Sequence, residues 1–482
     1  MADSLPNNRL RHDLRHLLVD ARTVCHPTAG ERGIGRYTIG LLGGLHEIGA
    51  PVIALYETDA EAALLAAAVP GLELQPLNPA TVRRFAEHGT WFVATQLMLH
   101  PIPLDPVPRI ITESGLPVAA VMYDVIPERY PQQYQVRPSA RAQVQLRGIL
   151  TRTLDALLAI SDFAADTAAH ELRFPRDRIT TIGAGRDPIF TRSDSDPWAL
   201  LGNVLPNESA NDRHLLVINV VGGSDPRKNV ERLLQAWGLL SSSVRRRHRL
   251  LIVGTFDHAL RQQWALWASE AGVTDVVVFT GSVSDEELVA LHQAATLAVV
   301  PSIEEGFGLP VLEAAACGCP VITSNVSALP EVLAEPDAQF DPLDVHSMSS
   351  ALTLALTDIT HRQLLLAAAD RAAQRWTWAN TGRALVDSLQ YLGPRKERTL
   401  RQVRHRVAMT GRFDDSPAGR ANNEFALAMS NQSLAPEITL LVDNGGQATP
   451  TKAGPLRFPA RALGRSVHRS QFDDIITLPV ES

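Results

Sequence analysis

The feature that most constrains the fold is a regular alternation of short β-branched runs with longer stretches of helical periodicity. Strands that alternate with helices form parallel sheets covered by helices on both faces. The runs predict strands at 17–20, 52–56, 91–95, 119–123, 156–160 and 179–182, then at 214–220, 250–253, 276–280, 297–300 and 320–323. The sequence therefore predicts an α/β chain with two doubly wound sheets.

A polar stretch rich in Pro and Asn separates the two sets of strands. Because 482 residues exceed what one ordinary core holds, we expect two domains and an appendage. We place a first domain at 14–190, a linker at 191–212 and a second domain at 213–392.

Composition narrows the class of protein. No apolar run reaches the ~18 residues of a membrane-spanning helix, and the start lacks the apolar core of a signal peptide. Three cysteines give no disulfide framework, and a formal charge of -7 argues against nucleic-acid binding. We expect a cytoplasmic protein without a nucleic-acid partner.

The most specific segment is PSIEEGFGLPVLEAAACGCPVITS, which predicts a strand, a glycine loop and a helix opening near Leu309. Gly306 and Gly308 permit close approach of a ligand to the backbone. The N–H groups of Phe307, Gly308 and Leu309 lie at a predicted helix N-terminus, where partial positive charge attracts phosphate. The loop is therefore a predicted phosphate site.

Two carboxylates flank this loop, Glu305 within it and Glu313 in the expected first turn of the helix. Both can face one ligand at that terminus and suit two sets of sugar hydroxyls. Taken singly, each has an equally good structural interpretation, with Glu313 complementing the helix dipole and Glu305 solvated.

A second turn, VVGGSDPRKN, also joins a predicted strand to a helix. It carries Gly222 and Gly223, then Arg227 and Lys228, with Asn229 placed as a helix cap. An arginine fork and a compact ammonium suit a diphosphate. The other interpretation is a solvated basic turn.

The E-x7-E element of Glu305 and Glu313, with the R-K pair, resembles retaining glycosyltransferase family 4, and bacterial mannosyltransferases in particular. The resemblance implies a GT-B fold, with two Rossmann-like domains facing across a cleft. It also implies that Glu305 contacts the transferred sugar, that Glu313 contacts the ribose, and that Arg227 and Lys228 contact the diphosphate. The implied reaction is transfer with retention by front-face displacement.

In the first domain, Gly33 and Gly35 lead into a helix expected to begin around Arg36, and the resemblance places such a loop over the donor. The G-x-x-G-x-G spacing argues against a dinucleotide site. Asp124 follows a predicted strand and is the acceptor-side candidate, with a buried structural carboxylate as the alternative. Tyr123 stands where related transferases often have His.

We assign catalysis to Glu305, Asp124, Arg227 and Lys228, and expect neither a metal nor a cofactor besides the donor sugar nucleotide. Asp194 and Asp196 match an Asp-x-Asp pair, but they lie in the predicted linker. The cations and the helix terminus can neutralise the leaving diphosphate instead. On resemblance, GDP-mannose is the preferred donor, and the acceptor is a glycan or lipid-linked glycan of cell-surface polysaccharide synthesis.

Residues 400–482 resemble the start of another transferase N-terminal domain, with a partly ordered tail as the alternative. Arg137, Arg141 and Arg152 share one face of a predicted helix, which suits either weak contact with acidic lipid or ordinary solvation. Two other functions remain open. The chain could be a sugar-nucleotide epimerase or hydrolase of the same fold, or a non-catalytic nucleotide-sugar scaffold.

Overall fold

The structure of the chain is a computed structural model. It describes residues 11–26, 33–98, 106–136, 138–193, 195–202, 204–205, 215–221, 225–395, 406–411, 437–442, 461–462 and 474–477. The chain divides into two compact units, one of Met1–Ile160, Ala164–Ile182 and Gly382–Ser482, the other of Ser161–Phe163 and Gly183–Thr381.

The first unit contains a seven-stranded sheet in the order β3-β2-β1-β4-β5-β6-β7, and all its strand pairs are parallel. Its strands are β1 (His16–Asp20), β2 (Val52–Tyr56), β3 (Glu73–Pro76), β4 (Thr90–Ala94), β5 (Val118–Met122), β6 (Ala156–Ala159) and β7 (Ile179–Thr181). The strand order reverses between β1 and β4, which makes their carboxyl ends the topological switch point.

Helices connect these strands, as parallel pairing requires. They are α1 (Ile34–Glu47), α2 (Asp59–Ala68), α3 (Pro79–Phe85), α4 (Arg109–Ser114), α5 (Ile126–Arg129), α6 (Pro131–Tyr134), α7 (Pro138–Arg152) and α8 (Asp162–Glu171). Thr58 and Glu61 form a capping box at the start of α2, and the Asn78 side chain caps α3. These caps fix where the helices begin.

The second unit contains a six-stranded parallel sheet in the order β10-β9-β8-β11-β12-β13. Its strands are β8 (Leu215–Val220), β9 (His248–Val253), β10 (Val277–Gly281), β11 (Ala295–Val300), β12 (Val321–Ser324) and β13 (Gln339–Phe340). The order reverses between β8 and β11. A ligand site is therefore expected where these two strands end.

The helices of the second unit cover this sheet. They are α9 (Trp198–Leu201), α10 (Val230–Leu239), α11 (Ser242–Arg247), α12 (His258–Glu270), α13 (Asp285–Ala294), α14 (Leu309–Ala316), α15 (Leu329–Val332), α16 (Val345–Thr357) and α17 (Ile359–Arg375). The following helix, α18 (Trp378–Leu392), begins in the second unit and ends in the first. Among the helices described, none is long and apolar enough to cross a membrane.

The tail contributes a third parallel sheet. Its strands are β14 (Arg406–Gly411), β15 (Glu437–Val442), β16 (Arg461–Ala462) and β17 (Asp474–Thr477), in the order β16-β15-β14-β17. This order repeats the β3-β2-β1-β4 portion of the first sheet. That the tail starts a further transferase domain stays a prediction.

All eleven strands expected between residues 17 and 323 are present, with ends displaced by at most two residues. Two strands of the large sheets were not expected. β3 has the sequence ELQP, in which no residue is buried, and β13 is only two residues long, so neither carries a periodic apolar signal.

Candidate active site

The turn after β8 holds Arg227 in place through two contacts. A 3-10 turn covers Pro226–Lys228, and Asp225 Oδ1 accepts a hydrogen bond from the Arg227 backbone N–H at 3.0 Å. The Arg227 guanidinium forms an ion pair with the Asp225 carboxylate and donates from Nη1 to the Glu304 carbonyl at 2.7 Å. The guanidinium is thus held between its own turn and the loop after β11.

Lys228 contacts that same loop through its side chain. Its Nζ donates to Glu305 Oε1 at 2.6 Å, and the side chains of Lys228 and Glu305 are only 14% and 12% exposed. The Glu305 backbone N–H donates to Ser327 Oγ at 3.0 Å. Both ends of Glu305 are therefore fixed, and the R-K turn and the glutamate loop meet at the β8–β11 switch point.

Opposing effects act on the pKa of Glu305. Burial raises it, whereas the Lys228 charge and hydrogen bond, a hydrogen bond from Ser302 and the Arg227 charge lower it, and the net result is a pKa below the ordinary value. Glu305 is therefore an ionised, largely buried carboxylate at neutral pH. It can accept hydrogen bonds from hydroxyl groups of a ligand.

The loop between Glu305 and α14 is fixed by close packing. Gly308 has φ 117°, and a Cβ at this position would lie 2.7 Å from Leu329 Cδ2, so only glycine fits without displacement. The buried Phe307 ring meets Trp376 edge-on at 5.1 Å. Gly308 is the N-cap residue of α14 and has no side chain that could cap the helix. The backbone between Gly306 and Leu309, at the N-terminus of α14, is therefore suited to binding an anion.

Glu313 does not lie in the first turn of α14, where it was expected. α14 begins at Leu309, and no acidic residue lies in its first turn. Glu313 is the fifth helical residue, and at 3.6 residues per turn it falls in the second turn, where it is half-buried.

Asn229 occupies the N-cap position of α10, as expected, but its side chain makes no capping hydrogen bond. The carboxamide donates instead to the carbonyls of Pro301 and Pro342, at 3.0 and 2.8 Å. Gly222 and Gly223, the remaining candidates in this turn, lie outside the described residues.

In the first unit, α1 begins at Ile34, two residues before the expected Arg36. Gly33 occupies the N-cap with φ 56°, whereas Gly35 lies inside the helix and is buried, so Gly35 does not belong to a loop as expected. Residues 27–32 lie outside the described part of the chain.

Asp124 follows β5 and is half-buried. Its Oδ1 accepts a hydrogen bond from the Ile126 backbone N–H at 3.0 Å, which shapes the turn into α5. Tyr123 is buried and packs edge-on against Tyr37 with ring centroids 5.1 Å apart. Burial raises the pKa of the Tyr123 phenol, so its hydroxyl stays protonated.

The sequence analysis missed a buried carboxylate at the switch point of the first sheet. Asp20, the last residue of β1, is fully buried and accepts from Arg22 Nε and Nη2 at 2.9 Å each. Gln96, after β4, donates to both Asp20 oxygens at 3.1 and 3.0 Å. An acidic residue that ends an apolar strand was the available signal.

Two residues that hold the second-unit site were also missed. Asp225 orients Arg227, and the Asp-Pro pair that opens its turn was a readable signal. Ser327, which holds the Glu305 backbone, has a left-handed φ of 58° and no local sequence signal, because its role arises from tertiary contact.

The described residues contain no group of three or more side chains suited to holding a metal ion. Asp194, one of the two residues of the Asp-x-Asp pair, lies outside the described part of the chain. Cys317 and Cys319 are both buried at the end of α14, and burial raises the pKa of the Cys317 thiol to about 12.

Sequence comparison finds similarity to known glycosyltransferases. Residues 205–372 match the model of Glycosyl transferases group 1. The serotype-specific mannosyltransferase WbdA of Escherichia coli is 29% identical over 292 residues, which cover 60% of this chain and 34% of WbdA. The O-antigen chain mannosyltransferase B of Escherichia coli is 34% identical over 238 residues, covering 49% of this chain and 60% of that protein. The matched region thus spans about a third of WbdA.

Solved structures share the fold. The structure of Anabaena HepE with UDP and glucose has a TM-score of 0.58 at 15% identity and covers 78% of this chain and 99% of its own. WaaG, a glycosyltransferase involved in lipopolysaccharide biosynthesis, has a TM-score of 0.53 at 17% identity, covering 77% and 98%. The chain therefore has the two parallel sheets of the GT-B fold, and its residues 205–372 are similar to glycosyl transferases group 1.

Proposed function

We propose that the chain is a retaining glycosyltransferase that moves a hexose from a nucleotide diphosphate sugar to a glycan or lipid-linked acceptor. The observation that carries the proposal is the junction of Arg227 and Lys228 with the Glu305 loop at the β8–β11 switch point. It places two cations, an ionised carboxylate and a helix N-terminus together within residues 205–372, which are similar to glycosyl transferases group 1.

In this proposal, Arg227 and Lys228 bind the diphosphate, and the N-terminus of α14 adds partial positive charge. Together they stabilise the charge that grows on the leaving phosphate, so the reaction needs no metal ion. Lys228 has three N–H donors and its contact with Glu305 uses one of them, which leaves donors for a phosphate.

The carboxylates bind the rest of the donor. Glu305, ionised and fixed at both ends, accepts hydrogen bonds from hydroxyls of the transferred sugar. Glu313 accepts from the ribose. In the first unit, Asp124 positions the acceptor hydroxyl, and Gly33 contributes backbone near the donor.

The chemical step is a front-face displacement. The bond from the acceptor oxygen to the anomeric carbon forms as the bond from that carbon to the phosphate oxygen breaks. The proton of the acceptor hydroxyl passes to the departing diphosphate. Because the new bond forms on the face that the phosphate leaves, the anomeric configuration is retained.

Mannose is the first candidate for the sugar, and cell-surface polysaccharide synthesis is the proposed setting. Two Escherichia coli relatives are named as mannosyltransferases, one of them an O-antigen chain mannosyltransferase. We propose GDP-mannose as the donor. HepE was solved with UDP and glucose, so UDP-glucose is the comparison donor.

Localisation is also proposed, not observed. We place the chain in the cytoplasm, with weak contact to acidic lipid at the inner face of the plasma membrane through Arg141 and Arg152. Arg137, the third residue of that predicted face, lies outside the described residues. Sedimentation with acidic and neutral vesicles at low salt tests the contact. Equal pelleting of the protein with both kinds of vesicle would contradict it.

The deciding experiment offers the purified chain GDP-mannose, UDP-glucose and related donors, with and without an acceptor panel. We expect acceptor-dependent release of nucleoside diphosphate, an NMR spectrum that shows the donor's anomeric configuration in the product, and loss of transfer in Glu305→Ala. Isomerised or free sugar without an acceptor would indicate an epimerase or hydrolase. A raised melting temperature without turnover of any donor would indicate a scaffold.

A further inference from the structure

Asn229 combines a left-handed backbone conformation with three hydrogen bonds made by its side chain. It has φ 59° and ψ 34°, in the left-handed region, and it is 4% exposed. Its carboxamide nitrogen donates to the carbonyls of both Pro301 and Pro342, and its Oδ1 accepts from Arg232 Nη1 at 3.1 Å. This buried side chain therefore links three segments that are distant in sequence.

The three segments are those that build the site. Asn229 directly follows Lys228 in the chain. Pro301 directly follows β11 and begins the segment that leads to Glu305. Pro342 follows β13, at the edge of the same sheet. A shift of the Asn229 side chain would thus change the separation between Lys228 and Glu305.

We propose that Asn229 is a positioning residue that sets the contact between Lys228 and Glu305. The contact is a structural claim, and only its effect on turnover rests on the proposed function. The Asn229 amide contacts neither carboxylate nor cation of the pair, so it acts through the two backbone segments that it joins.

Neighbouring bonds support this assignment. Beyond Pro301, the Ile303 N–H donates to the Arg227 carbonyl at 2.8 Å. Before Pro301, the Asn219 side chain donates to the Val299 carbonyl at 2.8 Å. The Asn229 bond lies between these two, so it completes the attachment of the glutamate loop to β8 and to the turn that follows β8.

Two substitutions separate the side chain from the backbone conformation. Asn229→Gly keeps the left-handed conformation accessible and removes the amide. Asn229→Asp keeps the size but replaces the donating NH2 group with a carboxylate oxygen that faces the two carbonyls. Asn78→Gly is the matched control, because Asn78 is also an N-cap asparagine but its side chain bonds only within its own helix turn.

The measurement is a pH titration of the Glu305 side-chain carboxyl carbon by NMR, with the resonance assigned by its loss in Glu305→Gln. In Asn229→Gly and Asn229→Asp we expect the pKa of Glu305 to rise by roughly 0.5 or more, because Lys228 no longer lies as close. Asn78→Gly should lower the melting temperature without moving this pKa. Melting curves confirm that each variant is folded.

An unchanged Glu305 pKa in a folded Asn229→Gly variant would overturn the proposal, as would an equal rise in Asn78→Gly. With a donor that the wild-type protein turns over, kcat of the Asn229 variants should fall about tenfold or more while KM changes little, because the substitutions disturb the geometry of the site. If wild-type protein transfers no sugar, the proposed function fails while the titration still decides the role of Asn229.

Discussion

Lys228 Nζ lies 2.6 Å from Glu305 Oε1, across 77 positions of sequence. The sequence analysis assigned these two residues to different parts of one ligand, the lysine to the diphosphate and the glutamate to the sugar. Each is the other's counter-charge. The Lys228 charge lowers the pKa of the Glu305 carboxyl at a site where both side chains are largely shielded from water.

Lys228→Met should raise the pKa of Glu305, because burial then acts without the nearby ammonium that opposes it. In wild type the folded-state pKa is depressed, so the stability from this group is present above the unfolded value and lost as pH falls through the folded pKa. Because the pKa of Glu305 is higher in Lys228→Met, the acidic limb of kcat/KM should move to higher pH in this variant. Lys228→Arg, which keeps the charge, is the control, and identical acidic limbs in wild type and Lys228→Met would contradict the assignment.

Arg227→Ala should reduce both turnover and stability. The side chain is 11% exposed and contacts both Asp225 and the Glu304 carbonyl. Loss of charge-assisted hydrogen bonds should lower the free energy of unfolding by about 1.5–3 kcal/mol and kcat/KM by about tenfold or more. Urea melts and initial rates measure the two. Asp225→Asn should show part of the same loss. A stable Arg227→Ala variant with full kcat/KM would contradict the assignment of Arg227 to the diphosphate.

Gly308→Ala should disturb the glutamate loop directly. The new methyl group would meet Leu329 Cδ2 at 2.7 Å at a φ of 117°, so we expect a destabilisation of about 1–3 kcal/mol and a large fall in kcat/KM. Gly115→Ala is a matched control, because Gly115 has φ 78° but nothing within 4 Å of the added carbon. Chemical unfolding and initial rates compare the two. Equal effects of both substitutions would show that backbone strain alone is responsible.

His292 should make the second unit sensitive to acid. Burial lowers its pKa from 6.5 to about 4, and neither ring nitrogen has a hydrogen-bond partner among the described residues. The unfolded chain takes up a proton below pH 6.5 while the folded chain does not, so stability is lost as pH falls from about 6.5 to 4, by up to roughly 3 kcal/mol.

His292→Leu should therefore flatten the dependence of unfolding free energy on pH over this interval. His170→Gln is the control, since the His170 side chain is 85% exposed. Urea melts at several pH values measure the slope. The same slope in wild type and His292→Leu would show that other groups cause the acid sensitivity.

EDTA should leave initial rates unchanged, because Arg227, Lys228 and the terminus of α14 supply the positive charge that a leaving diphosphate requires. Rates are compared with and without chelator and after addition of Mg²⁺ or Mn²⁺. Loss of turnover that either ion restores would contradict metal-independent transfer.

The sequence predicted what depends on local pattern. The run Val52–Tyr56 was placed without error because all but one of its residues are buried, and Glu305, Arg227 and Lys228 stand out because charged residues follow apolar strands and adjoin glycines. The sequence could not predict that Asn229 would donate to Pro301 and Pro342 instead of capping its helix. A capping residue and a buried cross-link have the same local sequence signal, and only the packing of distant segments distinguishes them.

The parallel pairing of the six-stranded sheet has a consequence for folding. Parallel neighbours cannot form as hairpins, and each pairing closes a long loop before it gains contacts. The turn at Lys228 follows β8, and the loop at Glu305 follows β11. These two strands pair through Leu216 and Ala295, although β9, β10 and their helices lie between them in the sequence. Their ion pair can therefore form only when that closure is complete, so the same slow step that completes the sheet also assembles the site.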